Sequence, residues 1–363
     1  MAEQTPLHDV TSQAGATFVE EAGWQVPRDF GDPAAEYTLA REEAAVFDVS
    51  HRGKVSLAGP DAGRFLHNLC TNDIVGLAAG SGCEAFLTST QAKIVASALV
   101  YRVAEPDGAD TFWLDLDPGV AAKVVTHLDR YLISEQVELA DRTREWAQVH
   151  LAGPRAADVL QQIGGGEVAD LQPLHQLSLS LAEGVLCTIR RHDPLGLPGF
   201  DVLCQSKDAL ALWTALTAAG AAVAGSGTYD ILRVEAGTPI YGRDIDDTNL
   251  PQETGRTEHA VSFTKGCYIG QETIARIRTY GHVNRSLVGL KIAGDELAPP
   301  GSLVHRDGKE VGRVTSSVLS PRFSGALALA YLRRGHESPG VAVEVERPGE
   351  PRSAEVVALP FGR

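Results

Sequence analysis

Cys267 stands in the segment Lys265-Gly266-Cys267-Tyr268-Ile269-Gly270-Gln271-Glu272, framed by two glycines and followed by a stretch, 271–278, of helical character. A cysteine a few residues ahead of a helix N-terminus feels that end's partial positive charge, and Lys265 lies two residues before it. Both effects favour thiolate, the nucleophilic form. The glycines let a ligand or a partner backbone approach closely. A buried cysteine acting as a small hydrophobe fits the same local pattern, and the segment alone does not separate the two.

Glu235 falls near the end of a helix expected over 229–236 and closed by Gly237, where the helix dipole disfavours a carboxylate. In a pocket, such a carboxylate accepts paired hydrogen bonds from a planar, N–H-rich heterocycle. On the surface it would be a solvated group or a partner of Arg233 or Arg243. In the turn Tyr241-Gly242-Arg243-Asp244-Ile245-Asp246, Tyr241 can cover a ring and Arg243 can meet a carboxylate through its planar fork; a polar connecting loop accounts for the same residues. Asp48-Val49-Ser50-His51-Arg52-Gly53 places Ser, His and Asp together, but adjacent residues point different ways and no glycine-framed elbow holds the serine. A hydrolase triad is rejected.

The elements that position these residues belong to a chain of 363 residues, 44% hydrophobic and 22% charged, enough for two or three compact units. Its start is polar, without the basic and apolar regions of a secretory signal, and no apolar run is long enough to span a bilayer. The expected address is the cytoplasm. A formal charge of −15 argues against broad contact with nucleic acid, although Arg276, Arg278 and Arg285 lie close together. The five cysteines (Cys70, Cys83, Cys187, Cys204, Cys267) are scattered and unpaired in sequence, and neither they nor the histidines have metal-ligand spacing. No resident metal is expected; any cluster this protein handles would belong to a partner.

An internal echo organises the first two thirds. Val55-Ser56-Leu57-Ala58-Gly59-Pro60 and Val149-His150-Leu151-Ala152-Gly153-Pro154 each read as a strand, a Gly-Pro stop and an amphipathic helix whose first turn accepts the proline. Each is followed by a second strand-to-helix unit, 111–116 leading into 117–133 and 200–204 leading into 206–219. Two related halves of this kind predict a duplicated α+β scaffold. Loops are expected at 105–110 and at Gly164-Gly165-Gly166, a helix stop that lacks the lysine and hydroxyl of a phosphate-binding loop. From about residue 284, short strand candidates at 287–292, 303–305, 311–318, 326–332, 341–346 and 354–359 predict a small β-barrel, with a hairpin turn at Asp307-Gly308.

Asp48-Val49-Ser50-His51-Arg52-Gly53, the run Arg233-Val234-Glu235-Ala236-Gly237 with Tyr241-Gly242 after it, and the β-rich end together resemble the aminomethyltransferase superfamily typified by the glycine-cleavage T-protein. The segment around Cys267 resembles the signature of one branch, the folate-binding YgfZ-type proteins and their mitochondrial relatives in iron–sulfur cluster assembly. The resemblance covers nearly the whole chain. It implies an α+β, T-protein-like ring of two pseudo-repeated antiparallel subdomains over 1–283, each discontinuous, with a C-terminal small β-barrel over 284–363. It implies tetrahydrofolate or a derivative as cofactor, Glu235 as the pterin-recognising residue, Tyr241 and Arg243 beside it, and Cys267 as a required thiol supported by Lys265. Iron–sulfur proteins or cluster-assembly factors, including enzymes that modify tRNA, are the implied partners.

Three departures accompany it. Where the T-protein carries the aspartate associated with aminomethyl transfer, this chain reads Ile94-Val95-Ala96-Ser97-Ala98-Leu99, with no carboxylate. Asp117 stands for the family's folate-contacting asparagine, and Gln91-Ala92-Lys93 for the branch's Lys-Gly pair. The leading expectation is therefore a tetrahydrofolate-binding helper in iron–sulfur cluster assembly or repair. A folate-dependent aminomethyltransferase or demethylase and a non-catalytic folate-binding scaffold are the alternatives.

Overall fold

The computed structural model describes residues 2–104, 110–182, 184–347 and 349–362. The loop expected over 105–110 falls, but for Asp110, outside them.

The internal echo becomes two sheets. One has five strands in the spatial order Gly82–Thr88, Ile94–Ala104, Asp110–Leu116, Gly53–Ala58, Glu138–Asp141. The other has six: Gln176–Leu181, Val185–Arg191, Gly199–Gln205, Trp146–Ala152, Ala45–Asp48 and Ala222–Val223. In each, the strand before the Gly-Pro pair lies antiparallel to the strand of the second unit, Gly53–Ala58 on Asp110–Leu116 and Trp146–Ala152 on Gly199–Gln205. Gly59 and Gly153 both take positive φ, and a Cβ there would lie 2.3 Å from the Gln136 carbonyl oxygen and 2.4 Å from that of Glu43. Only glycine fits this corner. The helices start at Ala62 and Ala156, so each proline precedes the helix rather than entering its first turn. The helix expected over 117–133 is shorter, Ala121–Asp129, because Pro118 and Gly119 make a turn first, and that over 206–219 opens with a 3-10 turn at Ser206–Asp208.

The second sheet draws on separated stretches of the chain. Ala45–Asp48 joins the second sheet before the chain enters the first, pairing with Trp146–Ala152 on one side and with Ala222–Val223 on the other. A three-stranded sheet of Glu3–Gln4, Trp24–Asp29 and Thr17–Glu21 covers the start.

Strand alternation gives each sheet two faces. Val55, Leu57, Leu114 and Leu116 pack against Phe65, Leu66 and Leu128 of the helices; Lys54 and Asp115, paired across the ladder, turn the other way. In the second sheet Val149, Leu151, Ile189 and Val202 meet Leu160, Leu212 and Trp213, leaving Gln148, His150, Arg190 and Asp201 opposite. These polar faces meet. Gln148 Nε2 donates to Asp115 Oδ2 at 2.7 Å, Trp113 packs edge-on against Trp146, and the Arg190 guanidinium lies 4.3 Å from the Tyr101 ring centroid.

The C-terminal part is a closed barrel of six strands, Arg285–Ile292, Gly325–Arg333, Lys309–Ser320, Leu303–Arg306, Ala342–Val345 and Arg352–Val357 in spatial order. The Asp307-Gly308 turn closes the Arg306–Lys309 pair as expected. Helix Ser226–Glu235 clamps the barrel onto the rest. Arg233, fully buried, donates to Asp244 and, at 2.6 Å, to the Ser316 hydroxyl. Ser316 and Thr315 in turn donate to Asp244 Oδ1, and Ser320 donates to Glu235. Val234 between them enters an apolar cluster with Leu287, Val318 and Leu329.

Arg233→Met leaves the Asp244 carboxylate buried without its cation, which costs about 3–5 kcal/mol. Glu235→Gln strands one of its buried donors and costs about 1–3 kcal/mol. Both appear as lowered midpoints in urea unfolding, the first larger than the second.

Candidate functional site

A cavity of about 680 Å³ opens beside the junction of the two sheets. Ser97, Leu99, Asp115 and Asp117 line it from the five-stranded sheet and His192 from beyond the six-stranded one. The same alternation that sends Ala96 and Val100 into the hydrophobic core brings Ser97 to the cavity. A carboxylate at 97 would therefore face the cavity, and one at 96 would be buried among helices.

Arg52 organises the acidic wall. Its Nε donates to Asp115 Oδ1 at 2.7 Å and its Nη1 to Asp117 Oδ1 at 3.1 Å. The second oxygen of Asp117 accepts the Tyr241 backbone N–H at 2.7 Å. Burial pushes the Asp117 pKa up, and Arg52 with that N–H oppose the rise without cancelling it. Lys54, buried behind, donates to the carbonyls of Ser50 at 3.0 Å and Arg52 at 2.9 Å. Burial lowers its pKa to about 8.

Of the residues expected to hold folate, Asp117 alone lines this cavity. Glu235 lies outside it. Its carboxylate accepts from Ser320 and from Tyr37 at 2.8 Å and pairs with Arg41 at 3.3 Å. The partners of the carboxylate expected to recognise a pterin are thus Ser320 of the barrel and Tyr37 and Arg41 of helix Pro33–Glu42. Tyr241 and Arg243 line a second cavity, of about 800 Å³, and Arg52, Tyr229 and Ile240 line both. The Tyr241 ring is buried with the Lys123 ammonium 4.9 Å from its centroid, and Arg243 donates to Asp230 at 2.8 Å. No triad forms at Asp48-Val49-Ser50-His51: Asp48 accepts from Thr5, Ser50 donates to the Gln148 carbonyl, and His51 faces Glu21.

Cys267 is exposed, away from the cavity, on a loop with its own support. Gln271 Oε1 accepts the Tyr268 N–H at 3.0 Å, and its Nε2 lies 3.7 Å from the Cys267 sulfur. The Ile269 carbonyl accepts from Thr88 at 2.7 Å, and Gly270, at φ 82°, presses against the same hairpin; a Cβ there would lie 2.7 Å from the Ser89 carbonyl oxygen. Helix Gln271–Tyr280 follows directly. Lys265, expected to support the thiol, makes its hydrogen bonds elsewhere. Its ammonium donates to the carbonyls of His67, Cys70 and Asn72, the last two at 2.8 and 2.7 Å, at the C-terminal end of helix Ala62–Leu69. That end carries partial negative charge and holds the cation there.

The functional candidates that sequence reasoning passed over are Arg52, Asp115, His192 and Asp201. The alternation Leu114-Asp115-Leu116-Asp117 carried a signal, since two carboxylates on one face of a buried strand require partners. The histidines gave none, because His150, His192 and Asp201 converge only in three dimensions.

The profile of the GCVT N-terminal domain matches residues 7–265, and that of the glycine cleavage T-protein C-terminal barrel domain matches 285–362. The chain belongs to the glycine cleavage T-protein family. An aminomethyltransferase of Rubrobacter xylanophilus is 33% identical over 99% of this chain and 94% of its own length. One of Geobacillus kaustophilus is 32% identical over 100% and 99%. The crystal structure of glycine cleavage system aminomethyltransferase T from Bartonella henselae superposes with a TM-score of 0.91 at 26% identity, covering 99% of this chain and 98% of that one. The α+β region followed by a closed barrel is the T-protein fold. Among the described residues of this family member, no three His, Cys, Asp or Glu side chains converge on a metal site, and no helix is long and apolar enough to cross a membrane.

Burial raises the thiol pKa of Cys70 to about 11 and those of Cys187 and Cys204 to about 12, and pushes Cys83 up as well. Only Cys267 is exposed. Iodoacetamide at pH 8 on the folded protein should add a single carbamidomethyl group at Cys267, read by intact-mass and peptide spectrometry, and none to Cys267→Ser.

Proposed function

We propose that this protein binds a tetrahydrofolate in the cavity lined by Ser97, Asp115, Asp117 and His192, and uses the exposed Cys267 thiol as a helper in iron–sulfur cluster assembly or repair. The YgfZ-type branch, iron–sulfur partners that include tRNA-modifying enzymes, and a cytoplasmic setting are part of this reading. One observation carries it: the residue that strand geometry turns toward the cavity at the position of the family's transfer aspartate is Ser97. The site offers an arginine-bound acidic wall and no free carboxylate at that point, while a thiol stands exposed on a loop that several hydrogen bonds hold in place.

The cavity volume of about 680 Å³ suits a bicyclic heterocycle, and Ser97 and His192 offer acceptors for its N–H groups beside the arginine-held carboxylates of Asp115 and Asp117. Bound tetrahydrofolate would supply one-carbon chemistry; this chain's residues orient it, with Arg52 fixing both aspartates. Cys267 and the cavity are joined by one element. The hairpin gripped by Ile269 and Gly270 runs directly into Ile94–Ala104, the strand that presents Ser97.

Folate-dependent aminomethyl transfer is the second reading. Relatives named aminomethyltransferase, 32–33% identical along nearly the full length, favour it. The two readings separate experimentally. Calorimetric titration with tetrahydrofolate should give binding that Asp117→Ala weakens tenfold or more. Cys267→Ala should keep that affinity and lose activity in complementation of an iron–sulfur-dependent tRNA modification; full activity there would remove the thiol from the proposal. Formation of methylenetetrahydrofolate with release of ammonia from an aminomethyl donor, well above buffer rate and increased in Ser97→Asp, would establish the second reading instead. Folate binding with neither activity would leave a scaffold.

A further inference from the structure

Asp201, 3% exposed on strand Gly199–Gln205, carries an imidazole on each oxygen: His150 Nδ1 lies 2.9 Å from Oδ1 and His192 Nδ1 lies 2.9 Å from Oδ2. Burial works to raise the Asp201 pKa, and the two imidazoles override it and hold the carboxyl well below its usual range. An ionised carboxylate only accepts hydrogen bonds, so both rings present Nδ1–H to it, and in the neutral ring Nε2 is left as the acceptor.

The two rings differ in what surrounds that second nitrogen. His150 is sealed: Phe47 and Tyr229 pack against its ring, its Nε2 is buried without a partner, and a Cβ at Gly199 would come within 3.1 Å of it. His192 lines the cavity, and its Nε2 takes no partner among the described residues. We propose that His192, oriented by Asp201, is the proton acceptor of the cavity toward a ring N–H of the bound heterocycle. Asp201 is a positioning residue, and His150 holds its other oxygen. The inference rests on the reduced-folate reading of the cavity and deepens it, since position 97 presents a hydroxyl rather than a carboxylate and His192 supplies an acceptor in the same lining. The ring N–H donates to Nε2. If the proton moves, the N–H bond breaks, Nε2–H forms, and the imidazolium is paired with Asp201.

The charged and titratable groups facing this unit are Arg190 on the neighbouring strand and Arg52, Tyr101 and Asp115 from the other sheet. Tyr229 lies on the helix above, and Arg191 and Asp193 flank His192. Glu84, Asp117, Arg233, Arg256 and His259 also line the cavity. His259 is the other imidazole in that lining.

Calorimetric titration with tetrahydrofolate between pH 5.5 and 8 tests the assignment. Wild type should lose affinity, by about tenfold or more, toward the acid end of this range, because a protonated imidazole no longer accepts a hydrogen bond. His192→Gln should bind with one affinity across the range, His192→Asn should behave alike, and His259→Gln should keep the wild-type slope. Independently, nitrogen-15 histidine spectra should find His192 in the Nδ1–H tautomer, with Nε2 shifting when ligand is added. Binding whose pH profile survives in both His192 variants overturns the role of His192 and leaves the folate reading intact. A wild type that binds no reduced folate at any pH overturns the folate reading and this inference with it.

Discussion

The carboxylate of Asp115 is where the two halves of the α+β region are joined. Each sheet spends its apolar face on its own helices, so the faces left to meet each other are polar. Burying them is tolerable only if the charges pair. Asp115, fully buried, accepts from Arg52 within its own sheet and from Gln148 of the other, and faces Arg190 at 3.6 Å. The network has loose ends: Tyr101 Oη, Gln148 Oε1 and Arg190 Nη1 are buried without a hydrogen-bond partner. Ordered water commonly completes such groups. A polar joint of this kind leaves a cavity at its margin already furnished with fixed donors and acceptors, which an apolar seam would not.

Much of the fold was legible because its signals are local. Strand-Gly-Pro-helix units repeat, Asp307-Gly308 suits a tight hairpin, and short alternating runs mark each barrel strand. The roles of charged residues were not local. Glu235 finds Tyr37 across 198 residues of sequence, and Lys265 finds its carbonyls across 193 to 198. The helix-dipole argument marked Glu235 as a carboxylate in need of compensation, and proximity in sequence set Lys265 beside the Cys267 thiol. Neither had the means of naming their partners. The same holds for His192, whose partner Asp201 lies nine residues away with a tight turn between them, and for His150, 51 residues away. Cys267 was placed by its glycines, since Gly270 is needed for close approach to the neighbouring hairpin.

The framework, barrel included, is that of the T-protein, and the face turned to the cavity at position 97 carries a hydroxyl. Arg52 sets a cation where it binds both aspartates. The surface presented to whatever enters is made by these side chains, and function has to be argued from that surface rather than from the fold.

The crossing of Ala45–Asp48 into the second sheet has a consequence for synthesis. All strands of the five-stranded sheet have been made once the ribosome passes Asp141. Ala45–Asp48, made before any of them, has neighbours only in Trp146–Ala152 and Ala222–Val223. A nascent chain therefore carries an early strand unpaired past the completion of its first sheet. The barrel's clamp, Arg233 and Glu235, emerges only ten residues or so after that strand is finally flanked. Closure of the ring is thus a late event, set by the order of the chain.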